Sequence, residues 1–247
     1  MKKKILSAIM AVVLSASFCA CGKSGNDDNT ITMATNAEFP PYEYHDNNKI
    51  VGIDAEIAEA IANKLGYKLE IEDIAFDSII PELSSKKADF GMAGMTVTED
   101  RKKSVDFSDS YASARQSIIV PENSSISGPD DLKDKIVGVQ TGTTGDLYVT
   151  DDLGDDHVER YNKGMEAVQA LVQGKIDAVV IDNEPAKVFV SENKGLKILD
   201  TAYAEESYAI AVNKGNTELL DKINKALAEL KEDGTIDKII DKYITAE

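Results

Sequence analysis

The sequence predicts an α/β protein built in two lobes. Short apolar runs alternate with amphipathic stretches from Ile31 onward, as expected when strands feed helices that cover a sheet. Leu83-Ser-Ser-Lys-Lys-Ala-Asp89 and Leu171-Val-Gln-Gly-Lys-Ile-Asp177 share one pattern: Leu, three variable residues, Lys, an apolar residue and Asp, each leading into an apolar strand. Two copies of one helix-to-strand turn point to two units of similar build. No Pro/Ser-rich linker separates the halves, so the lobes are expected to exchange the chain through strands.

Residues 31–35 read as a strand and residues 54–65 as a helix. In that helix Ile57, Ile61 and Leu65 recur every four positions, Ala58 and Ala62 fill the same face, Asp54 is placed to cap it, and Gly66 stops it. Residues 68–74 form the next predicted strand, followed by a helix over 77–85 and a strand over 89–95. The same grammar returns with a helix over 165–173 and a strand over 177–181. The C-terminal region reads as two helices, 217–231 and 235–243, parted by Asp233-Gly234. Leu219, Leu220, Ile223, Leu227 and Leu230 give the first an apolar face, and Ile236, Ile239 and Ile240 the second.

The 247 residues are 43% hydrophobic and 29% charged, which suits a globular chain with a substantial core. Against 27 Lys and Arg stand 44 Asp and Glu, a formal charge of −17, so a groove for nucleic-acid phosphates is excluded. Residues 1–20 are the exception: Lys2, Lys3 and Lys4, no acids, and an apolar stretch from Ile5 to Phe18. This is a secretory leader, too short to span a membrane comfortably. Without it 24 basic side chains face 44 acidic ones, a net −20.

The leader ends at Phe18-Cys19-Ala20-Cys21-Gly22, and a polar run from Lys23 to Thr30 follows. This resembles a bacterial lipoprotein signal, which implies that Cys21 receives diacylglycerol through its sulfur and becomes the new N-terminus. Phe18 and Cys19 depart from the usual pattern. A Cys19–Cys21 metal or redox pair is disfavoured, since the chain has no other cysteine and no histidine nearby. Residues 21–30 would then be a flexible tether.

Gly52-Ile-Asp-Ala-Glu-Ile-Ala58 resembles the signature of the family-3 bacterial solute-binding proteins, the polar-amino-acid receptors of ABC importers. Further matches follow in order: residues 34–42, 93–102, 140–145 and 177–182, with Asp106-Phe-Ser-Asp109 and Glu232-Asp-Gly-Thr235 between and after them. The resemblance covers essentially everything after residue 30. It implies a two-lobed periplasmic-binding-protein type II fold with two crossover hinge strands, near residues 112–116 and 206–210. The first lobe would take residues 31–113 and 208–247, and the second residues 114–207.

An amino-acid ligand needs donors for its carboxylate, acceptors for its ammonium and a shaped slot for its side chain. The resemblance places Arg101 on the carboxylate, for which a planar guanidinium is suited. It adds Thr143 and Thr144 from a Gly-flanked turn before a helix, and Gln140 just upstream. Asp182 would pair with the ammonium, helped by the Ala93 and Gly94 carbonyl region and the Thr96 hydroxyl. Phe39 and Phe76 would flank the side chain, where a ring face favours a cation by roughly 0.5–2 kcal/mol. Asn36 is a departure: several relatives with basic ligands carry Asp there. Glu38 and Asp77 adjoin the slot in sequence and are candidates to restore acidity. The ligand stays open between neutral polar and basic amino acids.

Catalysis finds no support in the sequence. His45 and His157 sit in polar turns, metal ligands do not cluster, and no serine has a histidine partner. A few relatives on this fold are dehydratases or lyases, for which Glu38 or Glu184 would be the candidate acid. The expectation is a monomeric, exported, lipid-anchored receptor without cofactor that delivers its ligand to an ABC permease; the alternative, a surface sensor whose ligand is never transported, shares the same site.

Overall fold

The structure is a computed structural model and describes residues 29–244. The leader and Cys21 lie outside the described residues. The chain opens with β1 (Thr30–Thr35), an antiparallel ribbon of β2 (Glu38–Phe39), β3 (Glu43–Asp46) and β4 (Lys49–Val51), and helix α1 (Ile53–Leu65). Then come β5 (Lys68–Asp73), α2 (Ile79–Ser84), β6 (Phe90–Gly91) and β7 (Val105–Phe107). The long β8 (Ala112–Pro121) leads to β9 (Val137–Gln140), α3 (Thr144–Leu153), β10 (Val158–Tyr161), α4 (Gly164–Val172), β11 (Ala178–Asp182), α5 (Asn183–Glu192) and β12 (Leu196–Ile198). The chain returns through β13 (Ala204–Tyr208) to β14 (Ala211–Asn213), α6 (Thr217–Glu232) and α7 (Thr235–Tyr243).

Two sheets result. The first runs β5-β1-β6-β14-β7, with β1 parallel to β5 and β6 and with β14 antiparallel to both its neighbours. The second runs β10-β9-β11-β8-β12, with β9 parallel to both its neighbours and β8 antiparallel to β11, β12 and β13. Each is the centre of one lobe. The chain passes between them twice, on β8 and β13, which lie antiparallel with Ala112 opposite Tyr208 and Gln116 opposite Ala204.

Apolar periodicity explains the layers around the first sheet. Ile57 and Ile61 of α1 are buried, as are Ile223, Leu227 and Leu230 of α6 and Ile236 and Ile239 of α7, and both C-terminal helices pack on α1. Each such side chain contributes about 1.5–3 kcal/mol when fully buried. In the second lobe Val137, Val139, Ala178 and Val180 are buried from adjacent strands beneath Val149 of α3.

The repeated turn is one piece of geometry used twice. Lys86 N–H donates to the Leu83 carbonyl at 3.1 Å and Lys87 N–H to Glu82 at 3.1 Å; Gly174 N–H donates to Leu171 at 3.0 Å and Lys175 N–H to Ala170 at 3.0 Å. Both are Schellman ends, closing a helix on a left-handed residue. The terminal aspartates then clamp a neighbouring stretch of backbone. Asp89 exchanges hydrogen bonds with Thr32, its Oδ2 accepting the Thr32 N–H at 2.8 Å, and Asp177 does the same with Ile136 at 2.9 Å.

Three local expectations differ. The strand over 89–95 is cut to Phe90–Gly91: the chain leaves the ladder at Met92, and Gly94 turns it with φ 53°. The helix over 77–85 starts with a 3₁₀ turn at Phe76–Ser78. Asp54 caps nothing. Gly52 holds the cap position of α1, while Asp54 sits inside the first turn, fully buried, with its side chain turned into the protein.

Candidate functional site

In open α/β sheets, ligands bind beyond the carboxyl ends of the parallel strands. Asn36 follows the end of β1, Phe76 lies just beyond β5, Ala93 and Gly94 follow β6, Gln140 ends β9, and Asp182 ends β11. The two lobes face each other at these ends. Asn36, Phe39, Phe76, Ala93, Gly94, Thr96 and Arg101 from the first lobe and Gln140, Thr143, Thr144 and Asp182 from the second all line one narrow, nearly filled cavity of about 10 Å3, and Glu43 completes its wall.

Arg101 opens a 3₁₀ turn, Arg101–Lys103, and is only 7% exposed. The neighbouring acids that might have held it at the surface are taken: Glu99 pairs with Lys102 and Asp100 with Lys103. Its Nη1 donates to the Thr96 carbonyl at 2.7 Å and its Nη2 crosses to the Gly142 carbonyl at 3.1 Å. The guanidinium lies 5.3 Å over the Phe76 ring, so Phe76 braces the arginine. Burial pulls the Arg101 pKa down, while Glu206 and Asp182 oppose that pull.

Asp182 stands at the N-cap position of α5 but makes no capping bond; its carboxylate accepts from the Tyr208 hydroxyl. Burial first, and then the neighbouring Glu206, raise it to about 7 against the donors Tyr208 and Gln116. Glu206 itself accepts from Thr96 Oγ1 at 3.0 Å and Gln116 Nε2 at 2.9 Å, which ties β13 to both lobes. Thr144 Oγ1 accepts from Gln116 at 3.3 Å. Thr143 caps α3, its hydroxyl accepting the Asp146 N–H at 3.3 Å and donating to the Gln140 carbonyl at 2.8 Å. Capping and cavity lining coexist there.

The side-chain end is formed differently from the expectation. Asn36 Oδ1 accepts from Gln140 Nε2 at 2.8 Å, a polar contact between lobes, and its Nδ2 donates to the Ile74 carbonyl at 2.8 Å. Phe39 stacks on Tyr42, and its ring leans so closely on Gly94 that a Cβ there would stand 2.7 Å from it. Glu38 does not supply the slot with acidity, because it pairs across the lobes with Lys163. Acid comes instead from Glu43, 1% exposed on β3, backed by Asp54. Sequence reasoning missed both, along with Glu206. The only signal for Glu43 is an acid between two tyrosines in a short strand.

Glu184, the other candidate acid for catalysis, pairs with Lys187 at 3.1 Å and lies outside this cavity. It lines a separate, solvent-open depression of about 340 Å3 beside the crossover strands, with Tyr42, Arg115, Asn183 and Tyr208.

Two α/β lobes joined by crossover strands, facing each other across a cavity lined by a buried arginine and a buried aspartate, define a two-lobed binding-protein fold. The chain belongs to the bacterial extracellular solute-binding proteins, family 3, whose model matches residues 31–246. It is 34% identical to the arginine-binding extracellular protein ArtP of Bacillus subtilis (strain 168), over 99% of both chains. Among solved structures it is similar to an ancestral arginine-binding protein bound to arginine, with TM-score 0.83 and 49% identity over 87% of this chain and 98% of that one. A substrate-binding protein of an amino acid ABC transporter superposes with TM-score 0.82 at 42% identity, covering 88% and 100% of the two chains. The chain is thus a substrate-binding transport protein and not an enzyme.

Proposed function

We propose that this protein captures one polar or basic L-amino acid, with arginine the first candidate, in the cavity between its lobes and presents it to an ABC permease. The observation that carries the reading is a guanidinium and a carboxyl, Arg101 from one lobe and Asp182 from the other, converging on one buried cavity. The ligand's carboxylate would take the place of the Gly142 carbonyl on Arg101 and meet the N-terminus of α3, where Thr143 and Thr144 present donors. Its ammonium would meet Asp182, and its side chain would run along Phe39 toward Asn36 and Glu43. Two of the relatives are named for arginine, which supports a basic ligand, while another structure of an ancestral arginine-binding protein holds glutamine, which keeps neutral polar ligands in the class.

Closure is then a population shift, since only the closed form engages the ligand from both sides. Residues 31–113 with 208–247 and residues 114–207 would move as the two bodies, flexing where β8 and β13 cross. The mature chain would be a monomer held at the outer face of the membrane through Cys21. Detergent-phase partitioning that Cys21→Ser abolishes would bear out the anchor, and equal partitioning of the variant would reject it. A thermal-shift screen over the twenty amino acids plus ornithine, citrulline and cystine tests the binding reading, because a ligand stabilises only the folded form. Stabilisation by arginine or another polar or basic member is the expected result. No response at millimolar concentrations would overturn the reading.

A further inference from the structure

Glu43 and Asp54 place two carboxyl groups where water does not reach. Glu43 is 1% and Asp54 0% exposed. Asp54 Oδ2 takes the Gly94 N–H at 2.8 Å and the Tyr111 hydroxyl at 2.7 Å, while Asp54 Oδ1 and both Glu43 oxygens find no donor elsewhere among the described residues. The hydrogen-bonding neighbour of the Glu43 carboxyl is Asp54 itself. Two buried carboxylates in contact cannot both carry charge. One proton must lie between them, and it belongs on Glu43, because Asp54 already receives two donors.

Among the described residues no cation forms an ion pair with either carboxyl. Acting on it are Asp182 from the end of β11, Asp73 from the end of β5 and the phenols Tyr42 and Tyr111, with Tyr208 behind Tyr111. Asp73 is turned to His45 and to the Ala37 N–H. Arg101, the cavity's own cation, is engaged by the Thr96 and Gly142 carbonyls. Burial and then the Asp54 charge push Glu43 well above the carboxylate range, and burial raises Asp54 to about 6. Gly94 couples the pair to the side-chain slot, since its N–H is bound by Asp54 and its Cα carries the Phe39 ring.

We propose that Glu43 and Asp54 share a proton which a cationic ligand side chain displaces, so that Glu43 sets the preference for charged over neutral amino acids. The proposal rests on the reading of the cavity as an amino-acid site. On binding, the Glu43 O–H bond breaks, the proton passes to the solvent buffer, and the guanidinium or ammonium of the ligand takes its place against the pair. A neutral side chain leaves the proton where it is.

Calorimetry at pH 7 in two buffers of different protonation enthalpy, with arginine and its neutral isostere citrulline, reads the difference directly. Any proton lost from Asp182 on meeting an α-ammonium is common to both ligands and cancels. Arginine is expected to release about one proton more than citrulline. Glu43→Gln should erase that difference and lower the preference for arginine about thirtyfold or more. Equal proton release by the two ligands, or an unchanged preference in Glu43→Gln, overturns the proposal while leaving amino-acid binding intact. Failure of the wild type to bind either ligand or any other amino acid overturns the underlying reading and the proposal with it. The wild-type difference decides the matter even where the variant does not fold.

Discussion

The two lobes share a frame and differ in what they bring to the cleft. Each closes a helix on a left-handed residue, Lys86 in one and Gly174 in the other, and each clamps a neighbouring strand or its lead-in through an aspartate, Asp89 or Asp177. From those matched frames come unmatched groups. The first lobe supplies the cation Arg101 on an irregular turn and the buried acids Glu43 and Asp54; the second supplies Asp182 from a strand end and the N-terminal turn of α3. The frame is therefore the shared property and the recognition chemistry the local one. Substitutions in the two should be separable, changing stability in the first case and affinity in the second.

Arg101→Ala puts that separation under the heaviest load. Removing one member of a buried charge pair costs roughly 2–5 kcal/mol, so arginine affinity should fall at least about thirtyfold by calorimetry. Wild-type affinity in the variant would show that the first lobe's cation takes no part in recognition.

The buried acids predict a pH dependence for the ligand-free protein. Burial raises Asp182 to about 7 and Asp54 to about 6, and Glu43 well above its usual range. The folded state thus holds protons that the unfolded chain has already lost. Their stabilisation is complete below the unfolded carboxylate values, near pH 4, and is lost as pH rises through the folded ones, by up to about 1.4 kcal/mol per pH unit for each titrating acid. Acids such as Asp106, held low by Lys214 and the Gly215 N–H, act in the opposite sense but only at still lower pH. Tm measured without ligand should fall between pH 5.5 and 8, and Asp182→Asn should flatten the fall. A Tm that rises over this range would contradict the assignment of these groups as protonated.

The smallest expected effects lie in the frame. Lys86 holds φ 58° and Gly174 φ 68°, in a region that costs a side-chain-bearing residue about 1–2 kcal/mol. Lys86→Gly should stabilise and Gly174→Ala destabilise, each by about 1 kcal/mol in urea unfolding, with ligand affinity unchanged. Coupled changes in affinity would mean that frame and cleft are not independent.

What the sequence discloses follows from the range over which each feature is encoded. α1, α4, α6 and α7 are legible because their apolar residues repeat within a turn or two, and the paired corners because one backbone geometry needs Leu, a turn, and Asp in close succession. Arg101 and Asp182 become legible through motif resemblance. Asn36, Phe39 and Phe76 do so as positions, but their contacts do not: Phe76 meets Arg101 only once its own lobe has folded, and Asn36 meets Gln140 only after the lobes face each other. Asp54 misleads because an acid at a helix start satisfies the local rule for a cap, while burial against Gly94 and Tyr111 decides its role. Glu43 and Glu206 reach the cavity region from a ribbon and a crossover strand far apart in the chain, and no local pattern joins them.

The ion pair between Glu38 and Lys163 has a consequence for how the protein responds to its surroundings. It joins the lobes with both side chains substantially exposed, 32% and 46%, whereas the Asn36–Gln140 contact between the same lobes is buried. An exposed pair contributes about 0–1 kcal/mol and weakens as dissolved ions screen it. The buried contact is indifferent to them. The salinity of the medium would therefore adjust how firmly the two lobes hold to each other at the rim, while leaving the contact between them inside unchanged.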